Sequence, residues 1–182
     1  MSDYLLGSFC MGGISATTGN NILYGTSGYL TVAGTDIGAT EDAISVEWSI
    51  EQYYPDLAQA RGPVAGTGRV IKGDFKIKCK ITEWQYTVLS LFCGSYGASS
   101  DANSEKIGGG VLGTVTEVAN VIVTGITRND GKAFKATIPS AYVELGNIEL
   151  AESKETIMEL TFNGLYTLAA PTTLPGFIQF QR

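Results

Sequence analysis

From Ile71 to Ile81 the chain alternates: Ile71, Phe75, Ile77, Cys79 and Ile81 occupy odd positions, and Lys72, Asp74, Lys76, Lys78 and Lys80 the even ones. Successive side chains of a strand point to opposite faces, so this is a strand with one face buried and one wet. The period then changes. Trp84, Val88 and Leu91, with Leu89 and Phe92, recur at the spacing that gathers side chains on one helix face. Thr82 and Gln85 stand as a Thr-x-x-Gln capping box, and Gly94 supplies a left-handed stop, which predicts a helix over about 82–93 that buries Trp84.

The same pattern recurs elsewhere. A strand is expected at Tyr29 to Ala33, and Ile44, Val46, Trp48 and Ile50 alternate with Ser45, Glu47, Ser49 and Glu51 in a second half-buried strand whose apolar face includes Trp48. Val118 to Thr127 and Lys132 to Ile138 flank Arg128-Asn-Asp-Gly131, a strong hairpin signal. Ala141 to Leu150 and Thr156 to Leu168 supply two more strands, the last with Met158, Leu160 and Phe162 on one face. The expected fold is mainly β: an antiparallel sandwich or barrel-like pair of sheets, with one flanking helix, a long loop and extended termini. A domain over 29–168 is bracketed by an N-terminal arm, 1–28, and a C-terminal arm, 169–182.

Between the second and third strands lies Tyr53 to Gly68, whose prolines and glycines exclude a strand interior. A structureless connection of this length in a compact domain points to binding. Tyr53, Tyr54, Leu57, Arg61 and Val64 are therefore candidate interface residues, joined by Phe177 and Phe180 of the C-terminal arm. The stretch Gly94 to Gly113 is a second polar, glycine-rich loop.

Composition narrows the chemistry. The 182 residues fit one domain, and the net charge of −6 opposes the basic footprint that holds phosphate backbones. The three cysteines form no C-x-x-C pair, and the N-terminus lacks the basic and apolar regions of a signal peptide, so a soluble protein made in a reducing cytosol is expected. The absence of histidine removes Ser-His and Cys-His pairs and the usual near-neutral base. Gly108 to Gly113 matches G-x-G-x-x-G without the strand before and helix after that a dinucleotide site requires. Gly125 to Lys132 departs from a phosphate loop in spacing, and Asp101 to Glu105 begins like a calcium loop but has Lys106 where the turn glycine belongs. No enzyme, cofactor or metal is expected.

The order of parts is informative as a whole. Gly34-Thr-Asp-Ile-Gly38 after a first strand, the alternating strand ending Glu51-Gln-Tyr-Tyr, the loop Asp56 to Val64, the long strand, and Thr82-Glu-Trp-Gln85 resemble the major tail tube proteins of tailed bacteriophages over roughly residues 28–168. Similar tubes occur in contractile tails, tailocins and type VI secretion. The resemblance implies hexameric rings stacked into a hollow conduit for DNA, built around a tape measure protein between a tail-tip initiator and a tail terminator. It implies a virion tail protein made in the bacterial host cytoplasm, with DNA only as passing cargo. In such a tube Glu47, Glu51 and Glu159 are assigned to the lumen, and the Lys72 to Lys80 face to the exterior or a seam between subunits. Alternatives are a monomeric carbohydrate- or ligand-binding β-sandwich, and another virion component such as a terminator or decoration protein.

Overall fold

The computed structural model describes residues 23–56, 62–93, 96–109, 115–127, 133–149 and 156–180. The strands among these residues are β1 (Leu23–Val32), β2 (Thr35–Asp36), β3 (Thr40–Tyr53), β4 (Arg69–Ile81), β5 (Ala98–Ser100), β6 (Glu105–Ile107), β7 (Val118–Thr127), β8 (Ala133–Glu149), β9 (Ile157–Gly164) and β10 (Phe177–Phe180). Among the described residues one helix, α1 (Tyr86–Phe92), lies between β4 and β5. The mainly β, antiparallel class with one short helix is the one the alternation predicts.

The strands form one antiparallel sheet in the order β2-β1-β7-β8-β9-β4-β3, with β10 added to β8 and β5-β6 as a separate hairpin. The expected pair of sheets is thus a single sheet that changes direction along β8. Residues 133–141 of β8 pair with β7, and residues 141–149 pair with β9. At the handover the inward-facing parity switches, from Ala136 and Ile138 to Ala141 and Val143. Pro139, which has no N–H for the ladder, stands at the switch, and β7 changes parity opposite it at Asn120, whose φ of +52° is one asparagine tolerates. A strand that changes sheets through such a bend makes the corner of a sandwich. The sequence expects two strands here; the structure has one, bent.

Both halves contribute to one core. Leu30 and Val32 of β1, Val121 and Val123 of β7, Phe75, Ile77, Cys79 and Ile81 of β4, and Met158, Leu160 and Phe162 of β9 are buried in a single cluster. β1 begins at Leu23, which carries pairing with β7, across a register shift between Tyr24 and Tyr29, into the segment assigned to the N-terminal arm. In the second polar loop, β5 and β6 form a hairpin closed by Asp101, whose Oδ1 accepts from the N–H groups of Asn103 and Ser104 at 2.8 Å. These hydrogen bonds, with one from the Ser104 hydroxyl, hold the Asp101 carboxyl below its usual range. The carboxylate serves its own turn.

The helix differs from expectation. It starts at Tyr86, and Gln85 makes no side-chain cap; its amide donates to Glu83 instead. Thr82 is engaged too: its N–H and hydroxyl both donate to the Ala39 carbonyl, while Glu83 Oε2 accepts from Ala39 N–H at 3.1 Å. Thr82 and Glu83 are tied to the β2–β3 connection and Gln85 to Glu83, so the capping box does not form. Val88, Leu89 and Cys93 are buried, but Trp84 and Leu91 are 42% and 51% exposed. Gly94 lies outside the described residues.

Candidate assembly surface

β4 is longer than the strand beside it. Its pairing with β9 begins at Lys76, whereas its pairing with β3 runs on to Tyr53↔Arg69. The β3–β4 hairpin therefore extends beyond the sheet as a two-stranded arm whose tip is the Tyr53 to Gly68 connection. At its base Tyr166 replaces the missing strand: its hydroxyl accepts from Gly73 N–H at 2.7 Å and donates to Gly73 C=O at 2.6 Å.

The arm is apolar and uncovered. Ile50, Tyr53, Val70 and Ile71 are 46–58% exposed, and Trp48, expected in the core, is 53% exposed. Trp48 points to the core side and leans on Phe75 with ring centroids 6.1 Å apart, but β3 is an edge strand and, among the described residues, nothing closes over the indole. Tyr54 is half exposed and its hydroxyl donates to Gln52 at 3.2 Å. Val64 is half-buried in a turn where its carbonyl accepts from Thr67 N–H and Oγ1. Leu57 and Arg61 lie outside the described residues. Phe177 and Phe180 are exposed on β10, which the expected arm forms by pairing with β8; Phe180 packs on Phe134 at 5.5 Å between centroids.

Sequence reasoning missed Val70, Ile71 and Ile50 as surface residues. The signal was available in part: Val70 and Ile71 are adjacent apolar residues that break the alternation.

The acidic candidates do not form a wall separate from the lysines. Glu47 is opposite Lys76, Glu51 opposite Lys72 and Glu159 opposite Lys80, so all share the outward face of β3, β4 and β9. Lys78 pairs with Glu47 at 2.6 Å, Lys72 with Asp74 at 3.0 Å and Lys80 with Glu159 at 3.9 Å. The Asp74 carboxylate raises the Lys72 ammonium above its ordinary range. The expected separation of Glu and Lys faces fails because both sets occupy outward positions of paired strands.

Two of the concavities among the described residues bear on chemistry. One of 340 Å³ is lined by Trp84, Tyr86, Leu145, Ile148 and Met158, among others; Trp84 Nε1 donates to the Thr156 carbonyl at its edge, at 3.1 Å. The other is a polar notch on the outward face, near Asn163. Among the described residues no group of three or more Cys, Asp and Glu side chains is placed to hold a metal ion. No helix among them is long and apolar enough to cross a membrane. No protein-family model matches the chain, and no curated protein matches it.

Proposed function

We propose that the chain is a structural subunit that assembles with copies of itself, as a major tail tube protein of a tailed bacteriophage. In this reading hexameric rings stack into a hollow conduit for DNA, and the protein resides in the virion tail after synthesis in the bacterial host cytoplasm. A tape measure protein, a tail-tip initiator and a tail terminator are its further partners. The observation that carries the proposal is the β3–β4 arm. A two-stranded ribbon is at best marginally stable in water, and contiguous exposed apolar surface marks an interaction site. The free edge of 14-residue β3 offers unpaired backbone groups for strand addition. Ring formation needs such unlike patches on opposite sides of one subunit.

The interleaved charges of β3, β4 and β9 suit a surface that neither repels a neighbouring copy nor grips DNA. Negative-stain microscopy of the chain, purified alone and co-expressed with a tail-tip initiator, tests the proposal: long hollow filaments are expected. Isolated particles under both conditions would reject it.

A second reading has its own observation. Trp48 and Trp84 are exposed, as stacking platforms of a carbohydrate-binding β-sandwich are. A mass that stays monomeric at high concentration, with tryptophan fluorescence that responds to oligosaccharide, would favour it.

A further inference from the structure

Asn163 lies on β9 between Lys76 of β4 and Tyr142 of β8, directly opposite each in the ladder. Its side chain points to the outward face, yet the residue is only 4% exposed. Its Nδ2 is sealed from solvent and has no hydrogen-bond partner. An unpaired buried donor costs about 1–3 kcal/mol, so native proteins rarely keep one without a reason.

The surroundings indicate what is missing. A notch of about 200 Å³ opens at this point, lined by Lys72, Asp74, Lys76, Tyr142, Asn163 and Gly164. Lys72 is held by Asp74 at 3.0 Å, and burial, with the Glu144 carboxylate nearby, raises the Tyr142 phenol above its ordinary range. Glu47, the residue opposite Lys76, is held by Lys78 at 2.6 Å. Lys76 is thus left without an ion pair among the described residues. Two lysines against one aspartate leave the lining with one positive charge in excess. The donors it leaves unused include the Lys76 ammonium and the Asn163 Nδ2.

We propose that this notch binds a single oxyanion, a phosphate or a carboxylate, whose oxygens accept from Lys76 Nζ and Asn163 Nδ2. The ammonium selects an anion over a neutral carbonyl, and charge-assisted hydrogen bonds of this kind are the strong ones. The group comes either from free solution or from an acidic side chain of a second copy; with 18 acidic against 12 basic residues, each copy has carboxylates to offer. The site does not depend on the assembly reading, because the notch lies on the body of the sheet, where β4, β8 and β9 pair.

The test uses the full chain with ¹⁵N labelling, following the Asn163 side-chain amide while phosphate, and separately acetate, replaces chloride at constant ionic strength. A saturable shift of that amide is expected. Lys76→Met and Asn163→Leu should each weaken binding at least about tenfold, the loss expected for one charge-assisted hydrogen bond; for Asn163→Leu the readout is the rise in unfolding temperature with phosphate. Lys76 is partly exposed, so its variant keeps the test decisive if Asn163→Leu does not fold. A shift that grows with protein concentration and is reversed by phosphate identifies a second copy's carboxylate as the source; a shift with added anion alone identifies the free ion. An amide that ignores both anions and protein concentration would overturn the proposal and leave the notch to water. Neither failure bears on whether filaments form.

Discussion

Tyr166 grips the backbone of Gly73 from both sides, accepting from its N–H and donating to its C=O across 93 positions of sequence. Gly73 is buried and lies three residues beyond Lys76, where the pairing of β4 with β9 ends, so β9 does not serve these two groups. The phenol is the anchor from which the two-stranded arm leaves the sheet. Tyr166→Phe keeps the ring and removes both hydrogen bonds, which should cost about 2 kcal/mol in chemical denaturation. Hydrogen exchange should then accelerate in β3 and β4 around Ile50 and Gly73 before it does around Ile77. Unchanged exchange at Gly73 would show that water replaces the phenol without loss.

The arm itself is expected to be dispensable for folding and necessary for assembly. Val70→Thr with Ile71→Thr keeps β-branched shapes and removes exposed apolar surface, and surface changes of this kind normally alter stability by within about 0.5 kcal/mol each. Replacing Leu57 to Gly66 with a short Gly-Ser linker should likewise leave thermal unfolding nearly unchanged, since loop closure depends weakly on length. Both variants should stop before filaments form, as judged by light scattering and microscopy. Normal filaments from both would remove the arm from the interface.

Alternation made the sheet legible. Phe75 to Ile81 and Met158 to Phe162 point inward as read, because burial on one face imposes a period of two. Coverage was not legible in the same way, since it depends on which strand ends at the edge: Trp48 has the parity of a core residue but stands on the edge strand and is 53% exposed. The single bent strand β8 was also hidden, because Pro139 in the sequence signals a break whether the chain turns or merely changes sheets. The candidate surface was legible as a loop but not as the strand ends that carry it. Local competition defeated the capping box, where Thr82 found the Ala39 carbonyl first.

Trp84 measures that last difference. As a buried helix residue its truncation to alanine would cost about 3–5 kcal/mol. With the residue 42% exposed and one hydrogen bond to the Thr156 carbonyl, the loss should be about 1–2 kcal/mol in a denaturant melt. Trp84→Phe should recover most of it. A loss above about 3 kcal/mol would mean that the indole is covered in solution, for instance by another subunit.

The two buried thiols predict a pH response of definite sign. Burial pushes Cys79 up to about 12 and Cys93 up to about 11 from an ordinary value of 9.0. Below the unfolded value both states keep their protons, and the contribution to stability is fully present. Above it the unfolded chain ionises while the folded one does not, so stability falls as pH rises, by at most about 1.4 kcal/mol per thiol for each pH unit, until the folded values are reached. In a Cys10→Ser variant, which leaves only these two thiols, iodoacetamide should label neither near neutral pH until denaturant is added, since the thiolate is the nucleophile and neither group is accessible. The same variant's denaturation midpoint should decline from about pH 9 upward and flatten again in a further Cys79→Ala, Cys93→Ala background. Rapid labelling of the native protein would show that the wall around Cys93 and α1 opens far more readily than the packing of Val88 and Leu89 implies.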